Sequence, residues 1–254
     1  MPVEQGHHPP AGDPASGAPG AALAALAGEI TSCRACPRLV SWREEVAHRR
    51  RAAFAHQEYW GRPVPGFGDP EAAVLVVGLA PAAHGGNRTG RVFTGDRSGD
   101  WLFGSMHRTG FASQATSAGR DDGLELRGAY VAAAVRCAPP ANRPSPAERD
   151  RCAPFLRREL ELLPHVSVVV ALGRFAYDVG AALLGVRPRP RFAHLAEMEA
   201  GGGRTLLCSF HPSQQNTFTG RLSEAMLDAV FVRARALAGL GQAPGAGEPP
   251  APGA

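Results

Sequence analysis

The chain has 254 residues, with 27 basic and 23 acidic side chains and a formal net charge of +4, and every basic side chain is an arginine. This length allows one or two domains with a full hydrophobic core. The lack of lysine excludes Schiff-base chemistry and phosphate-binding loops that depend on a lysine.

The positive charge lies in the middle of the chain. Residues 1–20 and 241–254 contain no arginine, and their only charged side chains are Glu4, Asp13 and Glu248. An arginine-rich segment between acidic ends indicates a polyanionic partner such as nucleic acid, although a coding bias toward arginine gives the same composition. No apolar run is long enough for a membrane span and no signal peptide is indicated, so we expect a soluble cytoplasmic protein that does not contact membranes.

Residues 1–20 and 241–254 are mostly Gly, Pro and Ala, and we expect disordered tails there because such segments bury little apolar surface. Between them, residues 21–240 form one predicted domain. Its continuously apolar runs predict buried parallel strands, each followed by a turn and a helix. These patterns predict a three-layer α/β/α domain with a four-stranded, mostly parallel sheet. The predicted strands are 73–79, 130–135, 166–172 and 205–210, and the predicted helices are 21–30, 37–51, 98–110, 146–163, 174–184 and 220–239.

Ligands of such sheets bind beyond the carboxyl ends of the strands. The first strand is followed by a glycine-rich loop, residues 78–96, whose backbone amides can approach a ligand closely. In this loop Phe93 either stacks on a flat ligand or anchors the loop in the core, and Asp96 either caps the next helix or belongs to a site. His211 follows the fourth strand and faces the same edge, and the polar residues after it are suited to a finger that enters a groove.

Four of the five cysteines occur in a pattern typical of ligands. Cys33 and Cys36 form a C-x-x-C pair, with two residues between them. Cys137 and Cys152 flank a proline-rich loop. Disulfides are not favoured in the cytoplasm, and four thiolates suit either zinc or a [4Fe-4S] cluster, which spacing alone does not distinguish. The alternative is that some are ordinary buried cysteines. Cys208, inside the fourth predicted strand, is expected to be a core residue.

Together these segments resemble the uracil-DNA glycosylase superfamily, and within it the iron-sulfur-containing type-b branch called family 5. The resemblance is carried by GLAPAAHGGNRTGRVFTGD at 78–96, VRCAPPANRPSP at 135–146, HPSQQNTFTGRL at 211–222 and the four cysteines. The related family-4 enzymes have an acidic residue where this chain has Leu79, and this departure favours family 5.

The resemblance implies an α/β/α glycosylase fold, hydrolytic removal of uracil from double- and single-stranded DNA, and a range that includes other deaminated bases such as hypoxanthine. It also implies a [4Fe-4S] cluster held by Cys33, Cys36, Cys137 and Cys152. The simplest oligomeric state is a monomer.

For this reaction we expect His211 to stabilise the departing uracil anion, because a donor that acts on charge present only in the transition state raises the rate. Asp96 is expected to orient water, with Asn142 as a second polar residue nearby. Phe93 is expected to stack on the everted base. The other expected substrate-binding residues are Ala80, Asn87, Ser213, Asn216 and Arg221.

Two other interpretations also fit the sequence. The first is an iron-sulfur module that binds damaged or single-stranded DNA without catalysis. The second is a zinc phosphoesterase that uses His84, Asp96 and His211 and cleaves strands in a metal-dependent reaction.

Overall fold

The computed structural model of the chain describes residues 18–241. Most of the two predicted tails therefore lies outside the described residues. The prediction is wrong for residues 18–20, because the first helix already begins at Ala18. Pro19 suits the first turn of a helix, and Leu23, Leu26 and Ile30, spaced three and four positions apart, bury one face of that helix.

Helices and strands are interspersed along the chain. The strands are β1 (Phe67–Gly68), β2 (Val74–Gly78), β3 (Ala129–Ala133), β4 (Val168–Leu172), β5 (Glu197–Ala200) and β6 (Arg204–Ser209). The helices are α1 (Ala18–Ser32), α2 (Pro37–Arg49), α3 (Gly86–Thr89), α4 (Arg97–Arg108), α5 (Pro146–Leu162), α6 (Arg174–Leu183), α7 (Gln214–Phe218) and α8 (Glu224–Leu237).

The strands form one sheet in the order β1-β3-β2-β4-β6-β5. The four inner strands are parallel and are the four predicted ones, so the parallel core is confirmed. The predicted strand number is wrong, because β1 and β5 add a short antiparallel strand at each edge. Strand β1 has two residues, and β5 alternates glutamate with apolar residues at an exposed edge, so neither has the long apolar run that marks a buried strand.

Helices cover both faces of the sheet, as predicted for a three-layer domain. Along β2, Val74 and Val76 point into one apolar core, which also contains residues of α4 and α8. Leu75 and Val77 point into the other, with residues of α1, α5 and α6. This alternation follows from the two-residue period of a strand. Among residues 18–241, no helix combines the length and apolar character that a membrane crossing needs.

All six predicted helices are present, and α3 and α7 are additional. Both additional helices are very short and lie in loops at the carboxyl ends of parallel strands. The architecture thus leaves the loops after β2, β3 and β6 at one edge of the sheet.

Candidate functional site

A cavity of about 540 Å³ opens at this edge, between the loop that follows β2 and the segment that follows β6. The carboxyl ends of parallel strands meet at one edge, which explains why residues far apart in the sequence come together here. The lining residues are Leu79, Ala80, Ala82, Phe93, Asp96, Arg97, Ser98, Asn142, His211, Ser213, Gln214 and Gln215.

Phe93 forms part of the cavity wall. Its backbone is left-handed, with φ of 51°, and its ring lies directly over Gly78, where any side chain would collide with it. The ring centroid is 5.9 Å from that of His211, with 34° between the two planes. Because the ring is half-buried, it is both packed against the core and available to a flat ligand.

Asp96 caps α4 and also lines the cavity. Its Oδ1 accepts a hydrogen bond from the backbone N–H of Gly99 at 3.0 Å, and its carboxylate lies against Gly85, a position without room for a side chain. Burial raises the pKa of Asp96, while the backbone N–H groups of Gly99 and Ser98 oppose that rise. The two predicted roles of Asp96, cap and site residue, are therefore compatible in one geometry.

His211 stands immediately beyond β6 and is half-buried. Burial lowers its pKa to about 4, so the imidazole is neutral at pH 7. Its backbone carbonyl accepts a hydrogen bond from Nδ2 of Asn216 at 2.9 Å, which fixes the start of the segment. Within residues 18–241 the ring nitrogens have no hydrogen-bond partner, so one N–H is available to a ligand.

Of the remaining predicted residues, Asn87, Asn216 and Arg221 do not line the cavity. Ala80, Ser213 and the exposed Asn142 line the cavity. Asn216 and Ser213 also shape the segment after β6, since Ser213 caps α7 by accepting from the backbone N–H of Asn216. The structure does not bring Asn87 to the cavity: it is fully buried, and its Nδ2 donates to the carbonyl of Arg43 in α2.

Helix α7 lies within the predicted finger after His211 and contributes side chains that were not named individually as site residues. Gln214 and Gln215 line the cavity, and Phe218, at the end of α7, is 67% exposed. The guanidinium of Arg97, another lining residue, lies 4.3 Å from the centre of the Phe218 ring. Arg221 stacks similarly on Phe210, at 4.6 Å. Ser213, a helix-capping residue after His211-Pro212, was the available signal for this short helix.

The four predicted ligand cysteines line a second cavity, between α2, α5 and the loop after β3. The buried Arg43 donates from Nη1 to Sγ of Cys137 at 2.9 Å, and the backbone N–H of Arg136 donates to Sγ of Cys152 at 3.3 Å. Burial raises the pKa of both thiols, that of Cys152 to about 11, and the neighbouring arginines act in the opposite direction.

A site for a single metal ion is not formed in the described part of the chain, either at the four cysteines or at His84, Asp96 and His211. No three histidine, cysteine or acidic side chains there converge closely enough to share one metal ion. Nδ1 of His84 lies 3.0 Å from the hydroxyl of Tyr59, and His84 does not line the cavity with Asp96 and His211. Cys208 is fully buried in β6, which confirms it as a core residue.

The profile of the Uracil DNA glycosylase superfamily matches residues 65–235. This stretch contains the whole sheet and both loops that form the larger cavity. The chain belongs to the uracil DNA glycosylase superfamily.

Two members of this superfamily called type-5 uracil-DNA glycosylases are similar over most of the chain. The one from Mycobacterium tuberculosis is 55% identical over 214 residues, 83% of this chain and 80% of the relative. The one from Thermus thermophilus is 54% identical over 212 residues, 83% of this chain and 96% of the relative. A type-4 uracil-DNA glycosylase from Archaeoglobus fulgidus is 30% identical over 149 residues, 58% of each chain. The resemblance to family 5 rather than family 4 is thereby confirmed.

Proposed function

We propose that this protein is a base-excision DNA repair enzyme. It hydrolyses the glycosidic bond of uracil in DNA and leaves an abasic site. The observation that carries the proposal is the single cavity lined by Phe93, Asp96 and His211. It offers a ring for stacking, a carboxylate and a neutral N–H donor around one ligand volume. The type-5 relatives bear the name of the same activity.

His211 is the proposed partner of the leaving base. When the glycosidic bond breaks, uracil departs as an anion whose charge spreads onto O2. A neutral imidazole placed against O2 donates a hydrogen bond that strengthens as this charge appears, which stabilises the transition state more than the ground state. The low pKa of His211, caused by burial, keeps the ring in the neutral form over the neutral pH range.

Asp96 is the proposed partner of the sugar and the attacking water. The sugar develops positive charge as the base leaves, and a carboxylate nearby offsets that charge and orients water. Asn142, exposed at the edge of the same cavity, is the proposed second residue that holds the water. The chain contains no lysine, so the abasic product leaves without an imine intermediate on that residue.

The base must leave the stack before it enters such a cavity, at a cost of a few kcal/mol that is smallest for mispaired or single-stranded bases. We propose that Phe93 stacks on the everted uracil and that α7, with Arg97 and Arg221, contacts the DNA around the gap. Double- and single-stranded DNA are both proposed substrates, and hypoxanthine is a proposed further base. In this proposal the enzyme acts as a cytoplasmic monomer.

We also propose that Cys33, Cys36, Cys137 and Cys152 hold a [4Fe-4S] cluster. The support is that all four thiols line one cavity and that Arg43 and a backbone N–H already donate to two of the sulfurs, as is common around clusters. When bound, the cluster supplies a structural link between α2, α5 and the loop after β3.

Replacement of a single proposed ligand tests the cluster. Cys33→Ser is expected to give protein that lacks the brown colour and broad visible absorption of the wild type and melts at a lower temperature. Cys208→Ser changes a core cysteine outside the ligand set and is the matched control, expected to keep the colour. A brown and equally stable Cys33→Ser protein contradicts the ligand assignment.

The activity is tested with oligonucleotides that contain one uracil, single- and double-stranded, incubated with the protein in EDTA and then treated with alkali. We expect strands that break only after alkali and free uracil in equal amount, with an otherwise identical thymine oligonucleotide untouched. Strand cleavage that needs added metal would indicate a phosphoesterase. Binding without uracil release would indicate a non-catalytic DNA-binding module, and either result overturns the proposal.

A further inference from the structure

Arg88 is a buried arginine in α3, with 8% of its surface exposed. Its guanidinium forms no ion pair with an acidic side chain among residues 18–241. It donates instead to the carbonyl of His84 at 2.7 Å, to the carbonyl of Gly95 at 2.8 Å and to Oε1 of Gln57 at 2.6 Å. The ring of Phe54 lies 4.0 Å from the guanidinium carbon. Burying an unpaired charge is costly, so this arrangement calls for a reason.

The two carbonyls that Arg88 binds both belong to the glycine-rich loop, that of His84 within it and that of Gly95 one residue before its end. One donor of the planar fork binds the carbonyl of His84 and another that of Gly95, so Arg88 bridges the segment between these two residues. Gly95 has φ of 73°, and a side chain on it would collide with the Arg88 guanidinium. The residue after Gly95 is Asp96. Through the carbonyl of Gly95, Arg88 restrains the backbone that leads into Asp96, and the N–H of Gly95 donates to the carbonyl of Ser117 at 2.9 Å.

We propose that Arg88 is a positioning residue of the excision reaction, which holds Gly95 and thereby places the Asp96 carboxylate at the cavity. The proposal rests on the proposed function, since it presumes that Asp96 acts on the sugar or the water. Arg88 itself does not line the cavity and is not assigned contact with DNA.

The charge of Arg88 has a second effect on Asp96. Burial raises the pKa of the Asp96 carboxyl, and Asp100 in the same helix raises it further, whereas Arg88 lowers it. Arg97 and His211 are the other charged or titratable residues on the cavity wall, and His211 is neutral at pH 7. Loss of the Arg88 charge is therefore expected to raise the pKa of Asp96.

Two substitutions separate position from charge. Arg88→Lys keeps the charge but loses the planar fork that binds both carbonyls. We expect its single-turnover rate of uracil release to fall about tenfold or more, because small displacements of catalytic groups are costly, with an unchanged pH profile. Arg88→Gln loses the charge as well. Its rate should fall similarly, and the acidic limb of its pH profile should move to higher pH, while the affinity for uracil-containing DNA stays near that of the wild type.

The matched control is Arg91→Lys. Arg91 is buried to a similar degree, at 6% exposure, but it hydrogen-bonds to Thr94, Ser117 and the carboxylate of Asp122 and not to the carbonyl of Gly95. We expect its melting temperature to fall as much as that of Arg88→Lys, with the acidic limb unmoved. A rate loss as large as that of Arg88→Lys would show that general loosening of the loop is the cause, and would overturn the inference.

Titration of the Asp96 carboxyl by carbon-13 NMR gives a readout besides activity, with Asp96→Asn to assign the signal. A higher pKa in Arg88→Gln than in the wild type supports the inference, and an equal pKa together with a wild-type rate overturns it. If Arg88→Gln does not fold, a wild-type rate in Arg88→Lys is the overturning result. Absence of uracil release by the wild type contradicts the proposed function instead, and the NMR titration still tests the link between Arg88 and Asp96.

Discussion

Asp96 combines a structural role with a proposed chemical role in one carboxylate. Its Oδ1 accepts from the backbone N–H of Gly99 to cap α4, while the side chain lines the cavity. The two roles respond differently to the loss of charge alone. An amide oxygen caps a helix about as well as a carboxylate oxygen, but it cannot offset positive charge on the sugar.

We therefore predict that Asp96→Asn lowers the single-turnover rate by about 10²-fold, the scale of one transition-state contact, and leaves the melting temperature and the DNA affinity nearly unchanged. Ser223→Ala is the matched control, because Ser223 caps α8 through the N–H of Met226, away from the cavity. It should lose about 1 kcal/mol of stability and no activity. Parallel loss of stability and rate in Asp96→Asn would identify Asp96 as a cap only.

The low pKa of His211 predicts that the free energy of unfolding depends on pH. Its pKa is about 4 in the folded protein because of burial, against about 6.5 for a histidine in an unfolded chain. Between these values the unfolded state binds a proton that the folded state does not, so the free energy of unfolding should decrease as the pH falls from about 6.5 to about 4. Denaturant melts across this range test this, and His211→Gln should show a weaker decrease. An identical decrease in the variant would contradict the burial of a neutral ring.

At the scale of elements, hydrophobic patterning was sufficient for the parallel core of the sheet. Each inner strand is buried on both faces and has a continuous apolar run, which distinguishes it from helices and loops. The edge strands β1 and β5 carry no such signal, since their pairing depends on neighbours distant in the sequence. The same reason applies to residues 18–20, where local composition predicted a disordered tail although α1 begins at Ala18. The apolar face of α1 is buried only against elements that are distant in the sequence.

The site was predictable where it follows a strand end. Phe93, Asp96 and His211 stand in loops directly after β2 and β6, and strand direction brings those loops together. Asn87 lies in the same loop, but the turn of α3 directs it inward to Arg43 rather than to the cavity. The exposure of Phe218 could not be read from the sequence either, because a phenylalanine in a short helix is usually buried.

Helix α7 ends in this exposed ring beside the cavity, and we predict that it supports the gap left by an everted base. Phe218→Ala should slow uracil release from a duplex about tenfold, the scale of the 1–3 kcal/mol contributed by stacking on one base. Release from single-stranded DNA, where no gap forms, should change little. Val232→Ala is the control, since Val232 is also exposed, at 59%, but lies on α8. Equal losses on both substrates would contradict a role in duplex opening.

At the scale of the whole molecule, a buried ion pair joins the sheet to a covering helix. Arg136, just beyond β3, and Glu159 in α5 are both about 1% exposed, and Nη1 of Arg136 donates to Oε1 of Glu159 at 2.9 Å. The same oxygen accepts from the backbone N–H of Gly66 at 3.1 Å, ahead of β1. One carboxylate thus holds a helix, a loop and an edge strand in place.

Glu159→Gln should lower the free energy of unfolding by about 3–5 kcal/mol, because it leaves the Arg136 charge buried without its counter-charge. Glu161→Gln, on the exposed side of the same helix, is the control and should stay within about 0.5 kcal/mol of the wild type. Urea unfolding of both variants measures the difference. A loss below about 1 kcal/mol in Glu159→Gln would mean that the pair is replaceable by neutral hydrogen bonds.

The loop between β3 and α5 lines both cavities, with Cys137 at the thiols and Asn142 at the proposed reaction centre. A displacement of Cys137 would therefore be expected to reach Asn142, which is only five residues further along the chain. Loss of the proposed cluster, through iron starvation or peroxide, would then lower the rate of uracil release, although no residue proposed to touch the base is itself altered. If the cluster is present as proposed, the rate of uracil release would then depend on the iron supply of the cell.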